Sequence, residues 1–318
     1  MANAREHGAM DTAPISRRAF AAATFAGLGS AVLASELQID QAPLLPTVRW
    51  GQYDITRILV GHNPIKGMSH QTAELNREMR DYFADPARGV SLLQRCQSLG
   101  INACQVGFRP NETYVEDMLR AHYAAGGRLH WIATFYSQPD DRESSRRELA
   151  RLLTMQPPPI GVQQVGNTSD ALFKRGRIDL SLENLKRFRD AGLLVGFGTH
   201  NHEVIDYAEN RGWDVDFYQC CFYRSLFGLD PAKAGREMYE AEDRNAMTRT
   251  MRQVSKPCIG FKVLAAGRHC GSIQDIETAL RHAFQHIKPT DVILLGMWQK
   301  YRDQVSENVT LARRILNA

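Results

Sequence analysis

No apolar run in this 318-residue sequence reaches the roughly 20 residues of a bilayer-spanning helix, so a permanent membrane anchor is not expected. No Lys/Arg block is interleaved with aromatics, and a net charge of +4 is mild at this length. Nucleic acid is therefore not the expected partner. The six cysteines, Cys96, Cys104, Cys220, Cys221, Cys258 and Cys270, make no CxxC knuckle and follow no small-scaffold spacing. Several sit inside apolar strand patterns, where buried free thiols are the expected state. No GxGxxG loop follows the first strand-like run, which counts against an open dinucleotide-binding sheet. No strand end carries an obvious Asp or Glu. What is present is an ordinary globular balance, 43% hydrophobic and 23% charged residues.

The N-terminus is the most legible segment. "ISRRAFAAATFAGLGSAVLAS" sets Ser16, Arg17, Arg18 and Phe20 around the start of a short apolar run from Ala19 to Leu33. Val32 and Ala34 are the small residues a signal peptidase needs, with a cut expected after Ala34. In this order the motif, run and cleavage site resemble a twin-arginine (Tat) export signal, against the plainer alternative of an Arg pair before an Ala-rich helix. The resemblance implies a folded protein carried to the periplasm, with the Tat machinery as a partner. The expected organisation is a signal peptide over residues 1–34, an irregular lead-in over 35–49 and one domain over 50–318.

From Trp50 onward, short β-rich runs alternate with amphipathic helical stretches. Strands are expected at Ile58–Asn63, Ile101–Phe108, Leu129–Phe135, Gly161–Asn167, Leu193–His200, Val215–Tyr223, Cys258–Ala265 and Asp291–Met297. Gly100, Gly192 and Gly212 each stop a helix just before the next strand, as a left-handed C-terminal residue does. Eight strands, each followed by a helix, predict an α/β fold: a single-domain (β/α)8 TIM barrel.

The working face of such a barrel is at the C-terminal ends of its strands. There the sequence places His62, Asn63 and Lys66 after the first strand, Gln105 and Arg109 at the second, and Thr134 and Tyr136 at the third. Asn167 follows the fourth, His200 and His202 the fifth, Gln219 and Tyr223 the sixth, Lys262 the seventh and Trp298 the eighth. Period-two alternation puts Gly196, Gly198, His200 and His202 on one face of the fifth strand, toward the barrel mouth. The same alternation puts Cys258, Gly260 and Lys262 together, so Lys262 is expected to point inward. An inward lysine is costly unless used or paired, so it reads as an anchor, an acid–base group or a Schiff-base nucleophile.

For His62, His200 and His202 two uses compete with a merely structural role. Three imidazoles with an open fourth position would make a catalytic divalent-metal site. A histidine set doing acid–base or hydrogen-bonding work needs no carboxylate ligand and is preferred. The expected catalytic set is Lys262, His200, His202 and His62. Asn63, Lys66, Gln105, Arg109, Asn167, Gln219, Tyr223 and Trp298 are expected to hold the substrate.

Three stretches give a family resemblance: "SLENLKRFRDAGLLVGFGTHNHEVIDYAENRGWDVDFYQCCFY", "KPTDVILLGMWQKYRDQVSENVTLARRIL", with Gln304 and Asn308 four apart, and "LLQRCQSLGINACQVG". They resemble, in order over residues 57–316, the aldo/keto reductase superfamily. The resemblance implies the same barrel and a nicotinamide cofactor, NAD(P)H, with Lys300 and Arg302 near a phosphate. Those reductases use an Asp, a Tyr, a Lys and a His. In register here stand Gln105, Pro110, the run around Phe135, and Gly166 or Asn167, so none of the four is carried over. A nicotinamide is accordingly ranked below a metal or no cofactor. The expected activity is acid–base lyase, isomerase or hydrolase chemistry, with a metal as an optional aid, on a small polar, carbohydrate-like molecule. Its rivals are an NAD(P)-dependent oxidoreductase and a non-catalytic periplasmic ligand-binding barrel.

Overall fold

In the computed structural model of the chain, residues 44–224 and 239–318 are described; the Tat-like segment and the cut after Ala34 lie outside them. The first two strands, β1 (Thr47–Trp50) and β2 (Tyr53–Thr56), pair antiparallel as a hairpin. Residues 47–49, expected to belong to an irregular lead-in, are therefore strand. Eight more strands close a parallel barrel: β3 (Ile58–Gly61), β4 (Ala103–Val106), β5 (His130–Phe135), β6 (Gly161–Gln164), β7 (Leu194–Thr199), β8 (Phe217–Cys221), β9 (Cys258–Phe261) and β10 (Val292–Gly296). They pair in chain order, and β10 closes on β3. The expected (β/α)8 TIM barrel is the fold.

Ten α-helices are described: α1 (Ala73–Phe83), α2 (Pro86–Ser98), α3 (Thr113–Ala124), α4 (Arg142–Leu153), α5 (Gly166–Lys174), α6 (Ser181–Asp190), α7 (His202–Asn210), α8 (Ala241–Gln253), α9 (Ile273–His286) and α10 (Gln304–Leu316). Local chemistry fixes their ends. Thr72, Asp85, Asp141, Asn201, Ser272 and Asp303 each accept a backbone N–H of the first turn that they cap. Gly100, Gly192 and Gly212 take φ of +89°, +72° and +62° just past helix ends, as the sequence pattern required. No described helix is long and apolar enough to cross a membrane. Five of the cysteines are buried thiols and Cys270 is half-buried.

Two apolar layers result. Ile58, Val60, Cys104, Trp131, Ala133, Val195, Phe197 and Tyr218 face the helices. Leu59, Ala103, Ile132, Phe217, Ile259 and Val292 fill the barrel interior, where Trp50 and Ile55 of the hairpin join them. The Trp50 and Phe217 rings lie 5.2 Å apart, so the hairpin plugs the N-terminal end of the barrel. Each Val, Leu, Ile or Phe among them contributes about 1.5–3 kcal/mol by leaving water.

The layers also settle which way each strand faces. On β7, a Cβ on Gly196 would meet Phe217 and one on Gly198 would meet Gln163, both interior side chains. The Gly196–Gly198–His200 face points inward, as expected. On β9 the alternation is the reverse of the expected one. Ile259 lies in the interior cluster while Cys258 lies in the outer one, and a Cβ on Gly260 would sit 2.6 Å from Phe222 of the outer layer. Lys262 reaches the mouth only because β9 ends at Phe261 and Lys262 turns left-handed at φ +58°.

Candidate active site

The interior changes character one layer above the apolar floor. Gln105 of β4, Thr134 of β5, Gln163 of β6 and Gln219 of β8 are all buried. Gln105 Nε2 donates to Thr134 Oγ1 at 2.7 Å and to Gln219 Oε1 at 2.8 Å. Gln163 Nε2 donates to Thr134 Oγ1 at 3.3 Å, while Gln163 Oε1 has no partner. Above this girdle opens a cavity of about 500 Å3 at the C-terminal end of the barrel. Among its lining residues are His62, Gln105, Arg109, Tyr136, Asn167, His200, Gln219, Lys262 and Trp298.

One wall carries a chain of polar groups. Lys66 Nζ pairs with Glu112 at 2.5 Å and donates to the Tyr136 hydroxyl at 3.1 Å. Tyr136 Oη in turn donates to His62 Nε2 at 3.3 Å, and His62 Nδ1 donates to the Gln105 carbonyl at 3.1 Å. Burial, then the neighbouring Lys66 cation, push the His62 imidazole down to about 3, so it stays neutral and accepts at Nε2. Burial also lowers Lys66 and raises the Tyr136 phenol, the latter against the pull of Arg109. Burial works to raise Glu112, but Lys66 and Arg109 more than offset it and hold the carboxyl below its usual value. Arg109 lies 4.5 Å over the Tyr136 ring. Glu148 of α4 accepts from the backbone N–H of Tyr136 and of Ser137 at 2.8 and 2.7 Å, which fixes the turn that presents Tyr136.

A second unit stands two strands away. His200 follows β7, and its Nδ1 donates to Asp170 Oδ2 of α5 at 2.7 Å. Asp170 is held in place by the Thr199 hydroxyl at 2.5 Å and the His200 backbone N–H at 3.2 Å. A carboxylate on Nδ1 fixes the tautomer and leaves Nε2 as the working nitrogen in the cavity wall. A Cβ on Gly166 would come within 3.0 Å of the His200 ring, so glycine there makes the seat for the imidazole.

Several expected roles change. His202 is not on a strand: Asn201 caps α7 and His202 is its first residue, half-exposed and outside the cavity lining. Among the described residues no three His, Cys, Asp or Glu side chains are grouped to hold a metal, so His62, His200 and His202 do not form a ligand set. Lys66, expected to hold substrate, spends its ammonium on Glu112, Tyr136 and the Gly107 carbonyl. Tyr223 is buried against Tyr239, its hydroxyl 3.3 Å from His269 Nε2, and it does not line the cavity. Asn63 lines the cavity beside His70, its Nδ2 3.2 Å from the imidazole. Cys220 is a buried free thiol, as expected, and burial raises it well above the usual value.

Sequence reasoning missed Glu112 and Asp170, which lie beyond the strand ends in the following loop and helix. An acidic residue three after Arg109, or four after Gly166, is the only trace either leaves.

No protein-family model matches the chain, and no curated protein matches it in sequence. Solved structures do match in fold. An aldo/keto reductase from Klebsiella pneumoniae, crystallised with NADP and acetate, is 13% identical over 85% of this chain and 90% of its own, with a TM-score of 0.51. A thermostable aldo-keto reductase crystallised with the inhibitor epalrestat is 13% identical over 85% of this chain and 94% of its own, also at 0.51. Such likeness establishes the barrel fold and nothing finer.

Proposed function

We propose that the chain is an enzyme that moves protons on a small polar, carbohydrate-like molecule in an elimination or isomerisation. One observation carries the reading. A single cavity holds two separately wired proton-handling units, His200 with Asp170 and Tyr136 with His62, Lys66 and Glu112. An elimination or isomerisation needs a base that takes a proton from carbon and an acid that protonates the oxygen, held on fixed walls around one substrate. His200, with Asp170 behind it, has the form of the base. Tyr136, with the Lys66 ammonium on its oxygen to hold the phenolate that forms, takes the part of the acid by turning its proton from His62 Nε2 to the substrate oxygen. Export to the periplasm through the twin-arginine motif belongs to the same proposal.

A nicotinamide-dependent oxidoreductase is the second reading, and one observation favours it. Glu112, Lys66, Tyr136 and His62 supply a carboxylate, a lysine, a tyrosine and a histidine in contact, the residue types that aldo/keto reductases use, although from other positions. The cofactor fits less well. An arm of the cavity beside α10 offers the unpaired Trp298 Nε1, Asn308 Oδ1 and Glu307 Oε2. The two cations beside that arm are taken, Lys300 by Glu78 at 2.5 Å and Arg302 by Glu307 at 2.8 Å. These residues do not fit a dinucleotide phosphate, and no step is derived through one.

The test is a nuclear magnetic resonance screen of neutral aldoses, ketoses, polyols and sugar acids with the purified protein and no added nicotinamide. At least one should be converted, with the rate falling about 100-fold or more in His200→Asn and in Tyr136→Phe. Turnover only when NADPH is supplied would replace this reading by the second. Binding without turnover under either condition would leave a ligand-binding barrel.

A further inference from the structure

The girdle is one hydrogen-bonded group short. Both protons of Gln105 Nε2 are spent, one on Thr134 and one on Gln219. Thr134 Oγ1 accepts from Gln105 and from Gln163, so its own proton is left to give. Gln163 Oε1 is buried in a residue 2% exposed and receives nothing. A buried acceptor left unpaired is costly, and such groups recur where a ligand completes them. The neighbouring glycine shows that the amide's place is built. A Cβ on Gly198 would lie 2.3 Å from Gln163 Oε1, so only glycine on β7 lets the carboxamide sit there.

The position matters as much as the shortage. β6, which carries Gln163, lies between β5, which presents Tyr136, and β7, which presents His200. All three side chains line the same cavity.

We infer that Gln163 is a specificity-determining residue that reads a hydroxyl of the substrate at the floor of the cavity, between Tyr136 and His200. With the Gln163 carboxamide swung from its seat at Gly198 toward the cavity, the hydroxyl donates to Gln163 Oε1 and accepts from the Thr134 hydroxyl. A substrate with hydrogen at that position leaves both partners unpaired. One with a carboxylate there sets anionic oxygen against the Gln163 carbonyl and has no proton to give. The substrate class is thus a neutral sugar or polyol with a free hydroxyl at its buried end. This inference rests on the proposed carbohydrate-like substrate and names how it is selected.

The test is thermal shift with a panel of aldopentoses, aldohexoses, their polyols and their aldonic acids, on wild type, Gln163→Met, Gln163→Asn and His200→Asn. Neutral members should stabilise wild type and His200→Asn, and both Gln163 variants should lose at least about 10-fold in apparent affinity. Aldaric acids, which carry a carboxylate at both ends and are added to the panel for that reason, should bind no better to wild type than to Gln163→Met. Without ligand, Gln163→Met should melt within about 2 °C of wild type or above it, because it removes an unsatisfied buried group. A ligand-free fall of more than about 5 °C in both Gln163 variants would make the residue structural and overturn the inference. Neutral sugars that bind the Gln163 variants as tightly as wild type would overturn it while leaving the substrate class intact. If no sugar or polyol binds wild type, the substrate class fails and the inference fails with it.

Discussion

The two ends of the barrel are made of different chemistry. At the N-terminal end Trp50, Ile55, Phe217 and Ile259 meet without a polar side chain among them. At the C-terminal end, one layer up the same strands, Gln105, Thr134, Gln163 and Gln219 leave a hydrogen-bond acceptor unpaired. β8 shows the change within two residues, from Phe217 in the plug to Gln219 in the girdle. Stability is concentrated where apolar side chains fill the barrel, and chemistry where the girdle stays short of a partner. The difference teaches how one short strand serves both ends: period-two alternation keeps both residues inward, and only the side-chain type changes.

Phe217→Ala attacks the plug and should have the largest effect. The ring is fully buried against Trp50, so its loss should cost about 3–5 kcal/mol in urea unfolding, and about equally at pH 7 and pH 5, since neither Phe217 nor Trp50 titrates. A loss under about 1 kcal/mol would break the contrast between the ends.

The polar end should instead reveal itself through pH. His62 is held down to about 3 in the folded chain by burial and by Lys66, with Glu112 acting the other way, against about 6.5 when unfolded. Its folded value lies below its unfolded one, so its contribution is fully present above about pH 6.5 and is lost as pH falls toward 3. That amounts to about 2 kcal/mol between pH 7 and pH 5 from this residue. His282, pushed down to about 4 by burial and then Arg244, acts in the same direction from outside the cavity. In His62→Gln the acid slope of the urea midpoint should flatten measurably. An unchanged slope would show that His62 is not held neutral.

The fold was legible because its signals are local and repeated. Eight β-rich runs, each followed by an amphipathic stretch, with glycine stops at Gly100, Gly192 and Gly212, leave little besides a barrel. The site was legible where alternation carries to the end of a strand. His200 faces inward for the reason its sequence neighbours Gly196 and Gly198 give, and Gln105 and Gln219 line the cavity. It failed where the strand stopped early. Asn201 and Glu203 turn the chain into α7 before His202 can share the His200 face. Lys262 reaches the mouth through a left-handed turn that no alternation foresees. The partners that define the chemistry, Asp170 on His200 and Glu112 on Lys66, come from a helix and a loop whose approach is set by tertiary packing.

The central claim is that one cavity moves protons with two units, His200–Asp170 and Tyr136–His62. Deuterium uptake measures this directly. The protein is incubated in D2O with the neutral sugar and polyol panel, and carbon-bound deuterium is read by nuclear magnetic resonance. Uptake at a carbon of at least one member, lost in His200→Asn and retained in Phe217→Ala to the extent that this variant is folded, is the predicted result. No uptake from any member, or uptake that persists in His200→Asn, would contradict it.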